Sequence, residues 1–271
     1  MKSKYIVFVF ILTFQIHAQT YYAEYELTRS INYMEFTAKS ELFVDSDKTL
    51  FLVHPYQNLL KDGQEINNDS GSGIVMSGGR ERCEEPKKYY IDYRNQKRLE
   101  YLYENDCRAS MWIKENYEPI EWTILNETKT IGDFEAMAAE AYVNDRKWVV
   151  YFTLEIPINH GPWRLHGLPG LVLEAHSLPD GREDVYVNND APELYFFRLV
   201  EFKEINESIE IPEIKQFKSF EEYKRRMIND EVNSIKYLRS SVPNMDIDSD
   251  IPLTKSLDFI EDRKITKQSN D

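Results

Sequence analysis

The chain has 271 residues, a formal charge of −14, 13% aromatics and only two cysteines. So acidic a composition lacks the clustered cations that counterion release onto a phosphate backbone requires, which excludes nucleic acid as an expected partner. The surplus of acids serves solubility and disfavours anionic ligands and anionic membrane surfaces.

Taken in chain order, Lys2 and Lys4 precede an apolar run from Tyr5 to Ile16 and a small-residue exit at Ala18. That is the pattern of a secretory signal peptide over residues 1–19. The run is shorter than the roughly 20 residues that cross a bilayer, and no later segment reaches that length, so no transmembrane segment is expected. No Cys follows the cleavage region, which argues against a lipid anchor. The expected product is an exported protein, periplasmic or extracellular.

From residue 20 the dominant period is two. "YYAEYELT" places Tyr21, Ala23, Tyr25 and Leu27 on one face, and "KWVVYFTL" does the same with Trp148, Val150, Phe152 and Leu154. "FTAKSELFV" and "PIEWTIL" behave similarly, and their β-branched and aromatic content suits half-buried antiparallel strands. Between His54 and Lys87 the pattern lapses into Gly, Ser, Asn and Asp, which reads as a long loop. Gly73 to Gly78 has the glycine spacing of a phosphate loop, but Gly79 and Arg80 stand where Lys and Ser or Thr are required, so that chemistry fails.

"KKYYIDYRNQKRLEYLYEN" reads as two strands about a turn near Asn95 and Gln96. Folding about that turn brings Cys83 and Cys107 almost opposite each other. An even cysteine count in an exported chain then predicts a disulfide, contributing roughly 3 kcal/mol in the chain-entropy model. A second hairpin is expected where Asn144, Asp145 and Arg146 separate "EAMAAEAYV" from "KWVVYFTL". Such regular spacing predicts a mainly β fold: a large antiparallel meander sheet or a partly open barrel.

One C-terminal amphipathic helix is expected over about 219–239, opened by Ser219 and Glu222 as a capping box. Phe220, Tyr223, Met227, Ile235 and Leu238 form its apolar stripe, which should pack on the sheet. The expected organisation is therefore a signal peptide (1–19), a β-rich domain (20–240) and an acidic, flexible tail (241–271).

Residues 161–176, "GPWRLHGLPGLVLEAH", join the "KWVVYFTL" strand to a further strand. Proline at one corner and glycine at the next suit a type II turn, which predicts positive φ at Gly170. In the strand beyond, Val172, Glu174 and His176 should share one face, and Leu171, Leu173 and Ala175 the other.

Gly167-Leu168-Pro169-Gly170-Leu171-Val172 resembles the motif of the GLPGLI family of exported Bacteroidota proteins. Ile156-Pro157-Ile158 and Gly161-Pro162-Trp163 precede it in that family's order, and Ile131-Gly132 with Phe134 resembles its earlier hairpin. Val172 replaces the usual Ile, and Ala136 stands where members often carry Cys. The family has no established activity, so the resemblance implies an exported, sheet-rich protein and no particular chemistry.

His160, His166 and His176 fall in or beside this stretch with Glu174 and Trp163, and are the candidate ligand or metal residues. Their gaps match no standard ligand spacing. No Ser sits in a nucleophile elbow and neither Cys carries a cue for reactivity. No cofactor is therefore expected. The favoured reading is a noncatalytic envelope protein that binds a small ligand or an envelope partner through its sheet. The alternatives are a metal-dependent enzyme or metal-binding protein using the His and Glu cluster, and a carrier of lipid or lipoprotein.

Overall fold

A computed structural model describes residues 20–31, 34–58, 85–103, 110–144, 146–178, 194–241, 252–255 and 260–264. The expected signal peptide, most of the long loop, and both Cys83 and Cys107 lie outside the described residues, as does the disulfide expected between them.

The fold is mainly β. Strands β1 (Thr20–Ile31), β2 (Met34–Val44), β3 (Lys48–Val53), β5 (Lys87–Asp92), β6 (Lys97–Tyr103) and β7 (Ser110–Asn116) form one antiparallel run, with the short β4 (Gln57–Asn58) also on β2. The chain restarts at the opposite edge with β8 (Thr123–Ile131) and returns through β9 (Phe134–Val143), β10 (Arg146–Thr153), β11 (Leu171–Leu178) and β12 (Leu194–Ile205). β12 then pairs with β1, giving the order β7-β6-β5-β3-β2-β1-β12-β11-β10-β9-β8.

The two edge strands, β7 and β8, are joined by residues 117–122 alone. Laid flat, eleven strands at about 4.8 Å would separate those edges by roughly 48 Å. So short a connection reaches at most about 25 Å. The sheet must therefore curl strongly, although it does not close: it is a partly open barrel with an inner and an outer face.

Local chemistry sets the turns. Ile131 faces Phe134 across a two-residue turn in which Gly132 takes φ +59°, and Val143 faces Arg146 across another that begins with Asn144 at φ +51°. Such tight hairpin turns need positive φ, which Gly and Asn tolerate best. In the β5–β6 turn, Asp92 accepts hydrogen bonds from the backbone and side-chain amides of Asn95, at 2.9 and 2.8 Å.

Inside lies the core. Tyr25, Leu27, Phe51, Leu102, Trp148, Phe152 and Phe197 are all buried on the inner face. Leu154, expected to continue the β10 stripe, is instead exposed because the strand stops at Thr153. On the outer face of β2, β3, β5 and β6, residues 206–218 form a strap whose Ile209 packs with Tyr90 and Leu99. The strap then pairs at Lys218 with Trp112 and Lys114 of the β7 edge.

Beyond it the chain turns inward into the helix α1 (Phe220–Ser241), whose Tyr223, Met227 and Ile228 join the inner core. The Ser219 hydroxyl accepts the Glu222 amide at 3.2 Å, and a Glu115 carboxylate oxygen accepts the Phe220 amide at 2.8 Å. Both satisfy free donors at the helix start. Within the expected tail, β13 (Pro252–Lys255) and β14 (Ile260–Lys264) form a small separate hairpin.

Candidate functional site

The segment from residue 154 to 170, between β10 and β11, folds into the barrel. Its two limbs meet where His160 bridges His166 and the Gly167 amide donates to the Asn159 carbonyl at 2.9 Å. The Leu171 and Val172 amides donate to Ile156 and His160, at 3.0 and 3.1 Å, and fasten the loop to its own following strand. At the tip Trp163, Arg164 and Leu165 are buried.

Two glycines of this segment are required for different reasons. Gly167 has φ +93°, the left-handed region that a Cβ resists. Gly170 does not; the expectation of positive φ there is wrong. A Cβ at Gly170 would instead lie 1.9 Å from the Thr153 carbonyl oxygen, because the turn passes directly against the end of β10. Close approach, not dihedral freedom, demands glycine at that position.

The strand beyond also departs from simple alternation. Tyr151 faces Glu174 but Phe152 faces Val172, so Leu173 is an extra residue in a β-bulge. Val172 therefore moves to the inner face with Ala175, away from Glu174 and His176. Its carbonyl accepts a hydrogen bond from the Tyr25 hydroxyl at 2.7 Å.

Arg164 anchors the tip. Its Nε and Nη2 donate to the two oxygens of Glu100 in β6, at 2.7 and 2.5 Å, with both side chains almost wholly buried. Arg98 Nε lies 3.0 Å from Glu100 Oε1, close enough for an ion pair but misaligned for a hydrogen bond. The Arg164 guanidinium also lies over the rings of Trp163, Phe220 and Tyr89 at 5.0, 5.1 and 5.7 Å. A buried pair of this kind is poor as a net stabiliser, but removing one partner strands a charge.

The histidines divide into two places. His160 Nδ1 shares a hydrogen bond with the Tyr93 hydroxyl at 2.8 Å, and His166 Nδ1 with that of Tyr117 at 3.2 Å. The His166 carbonyl accepts from Trp122 Nε1 at 2.8 Å. Burial pushes the His160 pKa down to about 3, with a further contribution from His166. Burial, then the charge of Arg98, pushes His166 down to about 4. Both imidazoles are neutral at ordinary pH.

Glu174 and His176 occupy the outer face. Glu174 Oε2 meets Lys129 Nζ at 2.5 Å and His176 Nε2 at 3.5 Å, while Arg198 approaches Oε1 at 3.8 Å. His176 packs on Phe196 at 4.4 Å between ring centroids, and Arg198 lies over the same ring at 4.9 Å. Tyr151 donates to Glu127 at 2.5 Å. Burial lowers the His176 pKa, with Glu174 pulling the other way. Thus His160, His166 and Trp163 gather inside, and Glu174 and His176 outside. Among the described residues no three His, Asp, Glu or Cys side chains converge as a metal would need.

Arg98, Glu100 and Arg164, the polar centre of the inner face, were not among the sequence candidates. Their one visible sign is a pair of opposite charges two residues apart in β6, which share a strand face.

Residues 140–174 match the model of a family described as a protein of unknown function, Porph_ging. Two crystal forms of PNGF-II resemble the chain at 17% and 18% identity, covering 79% of it and 34% of PNGF-II, with TM-scores of 0.45 and 0.44. The chain thus spans about a third of the PNGF-II structures. A DUF1329 family protein from Desulfovibrio piger matches at 7% identity, over 69% of this chain and 86% of that one, with a TM-score of 0.22. No curated protein matches significantly. Likenesses this weak carry no argument about activity. No helix among the described residues is long and apolar enough to cross a membrane.

Proposed function

We propose that the chain is a GLPGLI family member, exported as a mature domain that starts near Gln19 or Thr20. In this reading it is a noncatalytic envelope protein that binds a partner protein through the outer face of β9 to β12. The Porph_ging match supports family membership because it falls on the segment that carries the resemblance.

One observation carries the choice of surface. The inner face of these strands is filled by the chain itself, through Trp163, Leu165 and Leu168 of the loop and Tyr223 and Met227 of α1. Their outer face instead leaves Tyr142 67% and Val200 60% exposed, and also carries the Glu174, His176 and Arg198 group. Tyr and Arg suit interfaces, since they combine large contact area with polar tips. A lipid carrier would need the interior that the loop and helix occupy.

Photocrosslinking residues placed at Tyr142 and Val200 should each yield one discrete protein adduct in the producing cells. The same group at Tyr237, exposed on α1, should yield none. Adducts of equal intensity at all three positions, or none anywhere, would defeat the platform. Mass spectrometry of the exported fraction tests export separately, and an intact Met1–Gln19 segment there would reject it.

A further inference from the structure

We propose that the chain forms a homodimer through β8, two copies pairing antiparallel about a twofold axis at Thr128 so that one sheet runs on into the other. This contact lies beyond the partner platform on β9 to β12 and does not depend on it.

β7 and β8 are the two edges of the sheet, and they are finished differently. The strap covers β7: the Lys218 amide donates to the Trp112 carbonyl at 2.8 Å, and the Lys114 amide to the Lys218 carbonyl at 3.3 Å. β8 pairs with β9 alone. Ile131 and Phe134 close a two-residue turn, so that pair and the pair of Lys129 with Ala136 exchange the ladder hydrogen bonds. The amides and carbonyls of Thr128 and Thr130 therefore point away from β9. Consistent with this alternation, the Glu135 amide, opposite Thr130, turns away from β8 and donates to Glu155 at 3.0 Å. Among the described residues nothing takes up the outward groups of Thr128 and Thr130. Between Ile124 and Thr128 the register shifts, and residues 125–127 have no opposite number on β9 either.

Solvent reaches both sides of this stretch. Glu127, Thr128 and Thr130 are exposed, and neighbours along a strand face opposite sides, so neither side is covered by other described residues. The connection from β7 enters β8 at Thr123, roughly 17 Å along the strand from Thr128, and leaves that end clear. A lysine projecting over an edge normally guards it against pairing. Lys129 instead lies over the Tyr151 ring, 3.6 Å from its centroid, and reaches Glu174.

The occupant follows from the sequence of residues 125–131, which complements itself. Turned back on itself at Thr128, Leu-Asn-Glu-Thr-Lys-Thr-Ile sets Leu125 against Ile131, Asn126 against Thr130 and Glu127 against Lys129, each twice. Apolar and opposite-charge pairs of this kind stabilise adjacent strands. Within its own copy Glu127 has only the neutral Tyr151 hydroxyl as a partner among the described residues, so Lys129 of the second copy supplies the cation it lacks. At the axis the two Thr128 residues exchange their outward main-chain bonds.

A contact this small gives a weak dimer, so sedimentation of the full chain should show a reversible monomer–dimer equilibrium between about 10 µM and about 1 mM. Thr128→Pro removes the central outward donor, leaves the β9 ladder intact, and should abolish the dimer. Glu127→Lys and Lys129→Glu should each weaken it about tenfold or more, because like charges then face each other twice. Mixed in equal amounts, these two variants should dimerise again, since each new charge meets its opposite across the axis. That rescue identifies the register and requires both copies to be folded; Thr128→Pro tests the contact if either charge variant fails to fold. A monomer at every concentration overturns the proposal. So does a dimer that persists in Thr128→Pro, or a mixture of folded charge variants that associates no more tightly than its components.

Discussion

On their inner side β10 and β11 meet side chains that are buried and fixed by partners far along the chain: Trp148, Phe152, Val172 and, through the loop, Arg164 on Glu100. On their outer side Tyr151 donates to Glu127, and Glu174, 12% exposed, meets Lys129, His176 and Arg198, whose side chains are 36%, 39% and 57% exposed. The difference lies in what a substitution would strand. Inside, a removed partner leaves a charge or a cavity without solvent to compensate; outside, water takes its place. Folding information is therefore concentrated on one face of these strands, and freedom to evolve contacts on the other.

The largest effect should come from Arg164→Ala, which leaves Glu100 buried without its bidentate partner and with only the misaligned Arg98 beside it, and is expected to lower stability by about 3–5 kcal/mol. Glu100→Leu combined with Arg164→Met and Arg98→Met should recover much of that loss, since no charge of this group then remains to be stranded. Urea unfolding of the two variants tests the contrast; equal losses would mean that the pair stabilises in its own right.

Next comes Gly170→Val. Its Cβ would collide with the Thr153 carbonyl, so β10 or the turn must shift, and a loss of about 1–3 kcal/mol is expected. Gly167→Ala, whose site is open but left-handed, should lose about 1 kcal/mol. If Gly167→Ala were the worse of the two, the dihedral reading of the motif would stand after all.

These two glycines show how far the motif was legible. The turn itself follows from Gly and Pro spacing, but which glycine takes positive φ depends on how the segment packs on Thr153, a contact that no local pattern contains. The bulge at Leu173 was hidden for the same reason, so alternation placed Val172 on the wrong face. Arg164 and Glu100 stand 64 residues apart and meet only because the sheet curls. Strands with strong alternation, such as β10, and the Ser219 helix start were readable, because their signals are local and agree with the packing.

Acidification should also separate the faces. His160 and His166 are neutral in the fold, with pKa values pushed to about 3 and about 4. An unfolded histidine titrates near 6.5. The unfolded state therefore binds more protons between pH ~6.5 and ~4, and stability falls as pH drops through that window, by up to roughly 1.4 kcal/mol per unit for each group. Unfolding at pH 7 and pH 5 should show the decline in wild type. Removing His176 should leave that slope nearly unchanged, because this ring is partly exposed and its Glu174 partner opposes the effect of burial. A flat profile would mean that the inner imidazoles reach water.

The smallest effect belongs to the outer ion pairs. Glu174→Gln should change stability by no more than about 1 kcal/mol, as partly exposed pairs do. A loss as large as that of Arg164→Ala would erase the distinction between the faces.

Amide hydrogen exchange tests most directly the claim that residues 154–170 are an interior part of the fold. The Gly167, Leu171 and Val172 amides are bonded within the loop and to β11, while Val150 sits in the central sheet. All four should exchange only through global unfolding, with the same free energy of opening and the same denaturant dependence. If Gly167, Leu171 and Val172 instead open several kcal/mol more easily than Val150, with little denaturant dependence, the loop is a lid over the barrel and not part of its core.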